Sequence, residues 1–155
     1  MIVRRELIGM VVRMVTHRPA SSSETASARM RAVRGRDTKP ERLLRSLLHR
    51  SGWRYRIDVR PIPELNRRAD IVFQSRKLAI FVDGCFWHGC PLHATQSKAN
   101  RKFWRAKIRN NVRRDRDTDT KLVNAGWRVI RIWEHVNPQY ALELVVTELN
   151  KRNPR

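Results

Sequence analysis

Two cysteines and two histidines lie within nine residues of each other, in a pattern typical of metal ligands. Cys85 and Cys90 are the only cysteines of the 155-residue chain, and with His93 they form the pattern C-x4-C-x2-H. A structural zinc site needs four nitrogen or sulfur ligands, of which this segment supplies three. Our candidate for the fourth is His135, provided that the strand-like run before it lies beside the strand before Cys85.

Other chemistry is open to the same residues. A disulfide or two free thiols are the alternatives to zinc, but with no other cysteines and no secretory signal pattern we favour a reducing compartment and a metal. His88 lies inside the C-x4-C loop, where it is either a further ligand or a free imidazole. A free imidazole near neutral pH can take up or release a proton during catalysis.

Two aspartates flank neighbouring apolar runs. Asp70 stands at the start of ADIVF, and Asp83 follows LAIFV. If the two runs form a β-hairpin, these ends lie side by side and can bind Mg²⁺, which prefers a few hard oxygen ligands. A metal ion in such a place polarises a phosphodiester and activates a water molecule. The alternative for Asp70 is a turn residue at the start of a strand.

The elements that must position these groups follow from the apolar spacing. We predict strands at 53–59, 69–73, 78–82 and 127–133, and helices starting near Pro40, at 98–125 and at 138–151. In the first helix, Thr38 and Glu41 are spaced as a capping box. Glu41 is therefore either a structural cap or an acidic group that helps to hold the metal.

The long helix carries two stripes at helical spacing. We assign the apolar stripe of Trp104, Ile108 and Val112 to the core. Lys107, Asn111 and Asp115 form the second stripe, which either is an exposed side-chain network or faces DNA or the active site.

The composition indicates a polyanionic partner. Thirty-four Lys and Arg against 14 Asp and Glu give a formal net charge of +20, and the apolar fraction of 41% argues against a disordered basic tail. The alternatives are a solvated basic surface or a ribosome-like RNA binder. No apolar run is long enough for a transmembrane helix, and we expect one domain at 27–155 after an N-terminal arm at 1–26.

Five segments together resemble one known family. In chain order they are RMRAVRGRDTKPE, RADIVF, FVDGCFWHGCPLH, FWRAKIRNNVRRDRDT and GWRVIRIWEH. Between about Ser27 and His135 the chain is similar to the very short patch repair DNA mismatch endonucleases of the Vsr type.

The resemblance implies a fold and an activity. It implies an α/β fold like that of type II restriction endonucleases, a central mixed β-sheet flanked by helices, with a structural zinc site. It also implies Mg²⁺-dependent nicking of the thymine-containing strand on the 5′ side of a T·G mismatch, which starts very short patch repair of deaminated 5-methylcytosine.

The resemblance also assigns roles. It implies Asp70 and the carbonyl oxygen of Val82 as Mg²⁺ ligands and His88 as general base or proton shuttle. The implied zinc ligands are Cys85, Cys90, His93 and His135. The implied aromatic wedges at the mismatch are Phe86, Trp87 and Trp104, for which core packing is the alternative. Acidic groups in supporting roles are Glu41 and Asp115. Asp83 stands where some members have His, so its carboxylate either binds metal or orients a water molecule.

The remaining expectations concern partners. We expect contacts with DNA from Lys107, Asn111, Arg31 and Arg34. We expect a monomer in the cytoplasm, associated with the nucleoid, acting on double-stranded DNA with mismatch-repair proteins as further partners. The alternatives are a zinc-stabilised DNA-binding protein without catalysis and a related nuclease with a different mismatch or structure as its target.

Overall fold

The computed structural model describes residues 36–93 and 99–151. The predicted arm at 1–26 and the predicted DNA contacts Arg31 and Arg34 lie outside the described residues.

A four-stranded mixed sheet forms the centre of this part of the chain. Its strands are β1 (Arg56–Val59), β2 (Ala69–Phe73), β3 (Leu78–Asp83) and β4 (Arg128–Trp133), in that spatial order. β1 pairs with β2 and β2 with β3 in antiparallel fashion, whereas β3 and β4 are parallel. The α/β class is therefore confirmed, and so is the β2–β3 hairpin. The predicted neighbourhood of β3 and β4 is confirmed as well.

Within the described residues, four α-helices accompany the sheet. They are α1 (Lys39–Arg50), α2 (Cys85–His88), α3 (Arg101–Asn124) and α4 (Pro138–Asn150), with a short 3₁₀ turn at Gln74–Arg76. Parallel strands need a long crossover connection, and here α2 and α3 lie on the crossover from β3 to β4. Gly126, with a φ of 77°, stands in the left-handed region that commonly follows a helix end.

Each face of the sheet has its own apolar cluster. The cluster shared with α1 and α4 comprises Leu44, Leu48, Ile71, Phe73, Leu78, Ile80, Ile132, Ala141, Val145 and Leu149. The cluster shared with α3 comprises Leu65, Ala69, Val72, Ala79, Phe81, Leu122 and Trp127. Successive residues of a strand point to opposite faces, so the run at 78–81 contributes to both clusters. This is why it reads as continuously apolar.

Two element boundaries differ from prediction by three residues each, and the buried face of one helix differs as well. The first strand begins only at Arg56, because Trp53 and Tyr55 pack edge-on against Phe73 before the strand begins, with ring centroids 6.2 and 5.9 Å apart. Leu43 in α1 is 43% exposed, so the buried face of that helix is narrower than its leucine spacing indicates. The long helix begins at Arg101.

Candidate active site and metal centre

The hairpin places the Asp70 carboxylate against the end of β3. Its Oδ2 accepts a hydrogen bond of 2.7 Å from the backbone N–H of Val82. Burial raises the pKa of Asp70 to about 6, against the lowering effect of that hydrogen bond, and the nearby charges of Glu41 and Asp83 raise it further. A carboxylate that is destabilised by burial and by like charges gains from a nearby cation, so this end of the hairpin suits a divalent metal ion.

Glu41 is buried at 4% exposure at the start of α1. Its carboxylate accepts hydrogen bonds from the Thr38 hydroxyl at 2.8 Å and from the backbone N–H of Asp37 at 2.9 Å. The Thr38 side chain makes no cap hydrogen bond to the helix, and the backbone donor to Glu41 is Asp37, one residue before the cap, so the hydrogen bonds differ from those of the predicted capping box. Because Glu41 also raises the pKa of Asp70, the structural interpretation and the metal-site interpretation both keep their support.

His88 ends the single-turn helix α2 and pairs with α3. Its Nδ1 lies 2.6 Å from Oδ2 of Asp115 and 3.7 Å from Oδ1 of Asp83. Burial lowers the pKa of His88, but the hydrogen bond to Asp115 and the charges of Asp83 and Asp115 outweigh it, so the pKa is raised. With Nδ1 held by a carboxylate, Nε2 is the ring nitrogen suited to exchanging a proton with a substrate or water.

Asp83 is buried at 5% exposure and faces β4. Both of its oxygens accept hydrogen bonds of 2.9 Å from Nη1 of Arg131. Burial raises the pKa of Asp83, and the charges of Arg131 and His88 oppose that effect. Asp83, whose role the sequence left open, is thus ion-paired with Arg131.

An aromatic cluster lies where α2 meets the start of α3. The ring centroids of Phe86, Trp87 and Trp104 are 5.1 to 5.8 Å apart in edge-to-face arrangements, the geometry that aromatic pairs prefer. Nζ of Lys107 lies 5.3 Å from the Trp87 ring centroid and 5.4 Å from that of Trp104, within cation–π range. All three rings are half-buried, so they are neither core residues nor free surface residues.

The polar stripe of α3 faces α2. Lys107 contacts the aromatic cluster, Asn111 donates a 2.9 Å hydrogen bond to the carbonyl of Trp87, and Asp115 holds His88. Of the two interpretations of this stripe, these contacts with α2 support the one that turns it toward DNA or the candidate active site, which stays a prediction. The stripe of Trp104, Ile108 and Val112 is half-buried, so its assignment to the core was wrong.

Gly89 fixes the contact between α2 and α3. Its φ of 67° lies in the left-handed region that favours glycine, and a Cβ there would lie 3.2 Å from Cγ2 of Ile108. A larger residue would therefore push α2 away from α3.

A second group of side chains forms a candidate metal centre. The ligand atoms of Cys85, Cys90, His93 and His135 all lie within 4.8 Å of one another, and Cys85 Sγ is 3.0 Å from Nδ1 of His135. Two thiols and two imidazoles at this spacing fit a tetrahedral zinc ion. Burial and the adjacent Cys90 raise the pKa of the Cys85 thiol to about 11, an effect that a bound cation would reverse.

Comparison with known proteins identifies the chain. A family model described as DNA mismatch endonuclease Vsr matches residues 20–94. The chain is 47% identical over 134 residues to the type II nicking enzyme V.NaeI of Lentzea aerocolonigenes, with 85% of this chain and 81% of that protein covered. It belongs to the Vsr family. The predicted family resemblance is thereby confirmed.

Two further relatives agree with this. The type II nicking enzyme V.XorIIP of Xanthomonas oryzae pv. oryzae is 42% identical over 106 residues, covering 68% of this chain and 76% of that protein. The DNA mismatch endonuclease Vsr of Escherichia coli K12 is 40% identical over 111 residues, covering 71% and 69%. The protein is therefore a DNA endonuclease of mismatch repair, which removes the alternative of a binding protein without catalysis. No helix in the described part of this Vsr-family chain is long and apolar enough to cross a membrane.

The sequence did not point to two residues of this Vsr-family site. Glu134 accepts a 2.7 Å hydrogen bond from the backbone N–H of Cys85, at the start of α2, and Arg131 contacts Asp83. Arg131 stands in WRVIRIW, where a polar residue in a strand is read as solvent-facing. An acidic residue directly before His135 was the available signal for Glu134.

Proposed function

We propose that this Vsr-family endonuclease uses Mg²⁺ to nick the thymine-containing strand on the 5′ side of a T·G mismatch, starting repair of deaminated 5-methylcytosine. The observation that carries the proposal is the pairing of His88 with Asp115 next to the carboxylates at the ends of β2 and β3. DNA binding alone requires neither the His88–Asp115 pair nor the carboxylates at the strand ends. The name of the Escherichia coli relative, a DNA mismatch endonuclease, supports a mismatched substrate.

Asp70 and the carbonyl oxygen of Val82 would hold the catalytic Mg²⁺. Bound there, the ion would polarise the scissile phosphodiester and lower the pKa of a coordinated water. The raised pKa of Asp70 supports this assignment, because the buried carboxylate has like-charged neighbours in Glu41 and Asp83. Glu41 has a supporting role through its charge and its position at the start of α1.

His88 is the general base of the reaction. In its neutral form Nε2 takes a proton from the attacking water, and Asp115, bound to Nδ1, stabilises the imidazolium that results and fixes the orientation of the ring. General base catalysis of this kind contributes a factor of about 10² to 10⁴ in rate.

The aromatic cluster of Phe86, Trp87 and Trp104 supplies mismatch recognition. A mismatched step is easier to unstack than a paired one, and flat rings compensate for the lost base stacking. Lys107 beside the rings adds a positive charge that attracts the phosphate backbone. Asn111 fixes the backbone of Trp87 and thereby its approach to DNA.

Zinc would bind the Cys85, Cys90, His93 and His135 group and stabilise the fold. It would join the start of α2 and the loop after it to the residue two positions beyond β4, and would supply no catalytic chemistry. Such a joint would hold His88, three residues after Cys85, close to β4.

A nicking assay tests this function. The substrates are two end-labelled duplexes, one with a single T·G pair and one fully paired, each incubated with Mg²⁺ or with EDTA. We expect cleavage of the thymine-containing strand alone, only with the mismatch and only with Mg²⁺. Cleavage of the paired duplex, or of a different mismatch in preference, would move the proposal to a nuclease with another target.

A further inference from the structure

The guanidinium of Arg131 lies between three aspartates. Nη1 donates to both oxygens of Asp83 at 2.9 Å, and Nε contacts both oxygens of Asp119 at 3.0 Å. Nη2 lies 3.4 Å from the carbonyl oxygen of Asp115 and 3.6 Å from its Oδ1. Each nitrogen of the guanidinium therefore serves a different residue, an arrangement that the planar five-donor fork of arginine allows and the single ammonium of lysine does not.

The packing around Arg131 fixes that plane. Phe81, which is paired with Arg131 in the register of β3 and β4, lies under the guanidinium, with Cζ 4.5 Å from the ring centroid. Asp115 and Asp119 are one turn apart on α3, whereas Asp83 ends β3. The guanidinium consequently connects β3 and β4 to α3, the helix whose Asp115 bonds to His88.

The same contacts bear on the open role of Asp83. Nη1 lies at equal distance from both oxygens of Asp83, on the side of the carboxylate where a chelated metal ion would sit. Asp70, in contrast, accepts its hydrogen bond from Val82 through Oδ2 only.

We propose that Arg131 is a positioning residue of the nicking reaction. It acts as a fixed cation that holds Asp83 away from the metal and holds Asp115 in place against His88. Asp83 is then a partner of Arg131 and not a metal ligand. This inference rests on the proposed function, because it concerns the rate of the same phosphodiester cleavage.

The test compares R131Q with R131K and with R128Q as the matched control. Arg128 lies on the same strand and bonds to Glu148 of α4, so R128Q also removes a guanidinium–carboxylate contact, but on the α4 side. We expect R131Q to lower kcat on the T·G duplex by about 10²-fold, the scale of a misplaced catalytic group, with KM unchanged. R131K should be intermediate, because it keeps the charge without the fork. R128Q should stay within about 2-fold of wild type in kcat, as expected away from the site.

A second arm addresses Asp83 through the metal. D83N should lower the rate but leave the half-saturating Mg²⁺ concentration within about 2-fold, whereas loss of a true carboxylate ligand would raise it about 10-fold or more. The D83N/R131Q double variant removes both members of the buried pair and should have a higher melting temperature than R131Q, because R131Q leaves an uncompensated buried charge. This double variant also replaces R131Q if the single variant does not fold.

The outcomes separate the two proposals. A wild-type enzyme that nicks neither duplex speaks against the proposed function itself. With an active wild type, a kcat of folded R131Q or of the double variant equal to that of R128Q overturns the role of Arg131. A rise of about 10-fold or more in the half-saturating Mg²⁺ concentration of D83N overturns the claim that Asp83 is a partner of Arg131 and not a metal ligand.

Discussion

Replacement of Asp115 by asparagine tests the His88 pair most directly. The substitution keeps the size of the side chain but removes the charge that lies 2.6 Å from Nδ1 of His88. A hydrogen bond to a charged group is worth about 1.5 to 3 kcal/mol, and each 1.36 kcal/mol of barrier is a factor of ten in rate. If the imidazolium forms in the transition state, D115N should therefore lower kcat by about 10- to 150-fold.

The pH dependence of D115N gives a second measure with a definite sign. Asp115 raises the pKa of His88 through its hydrogen bond and its charge, so the pKa should fall when the carboxylate is lost. A general base works in its neutral form, which makes wild-type activity decline as the pH falls through the pKa of His88. The acid limb of the D115N profile should therefore lie at lower pH than that of wild type.

Single-turnover nicking of an end-labelled T·G duplex, measured over a range of pH, is the appropriate assay. D117N is the matched control: Asp117 lies on the same helix, and in the described part of the chain its carboxylate pairs with Arg67 at 2.6 Å and with Lys121 at 3.0 Å instead of with His88. We expect D117N to retain the wild-type rate and profile. An acid limb that does not move in D115N, or a loss confined to DNA affinity, would refute the role of His88 as the base.

Four further predictions concern the metals and the mismatch. Because the pKa of Asp70 is about 6, protons should compete with Mg²⁺ below that pH, so the half-saturating Mg²⁺ concentration should rise there. The variant D70A should abolish nicking, while a gel-shift assay should still detect its binding to DNA. C85S should lower the melting temperature and the zinc content measured by atomic absorption, and unchanged values of both would count against the zinc assignment. W87A should reduce the ratio of T·G to paired-duplex binding, whereas an equal loss on both duplexes would indicate a packing role.

The sequence predicted those features that depend on strand patterning. The apolar runs around Asp70 and Asp83 predicted a hairpin with adjacent ends, and the hairpin is formed. The requirement for a fourth ligand predicted that His135 lies near Cys85, and it does so because β3 and β4 are parallel neighbours. Both inferences used the short apolar runs that mark strands, which are a local property of the chain.

The remaining features depend on tertiary contacts. Helix α2 is one turn long, so it has no periodicity to detect, and it is supported by Glu134, which is 49 residues away. Arg131 is unremarkable in its strand until Asp83, Asp115 and Asp119 converge on it. The half-buried position of Trp104 depends on its contacts with the rings of Phe86 and Trp87. Contacts between two helices cannot be predicted from the spacing of residues along one of them.

The shortness of α2 constrains which changes of chain length the protein can accept. Cys85 opens the helix within the candidate metal centre, and His88 closes it within the candidate active site. Each residue of an α-helix turns the chain by about 100°, so one inserted or deleted residue between them would rotate the imidazole away from Asp115 while the thiol stayed in place. Substitutions at Phe86 or Trp87 can change recognition without this effect. Variation in this segment should therefore take the form of replaced side chains at constant length.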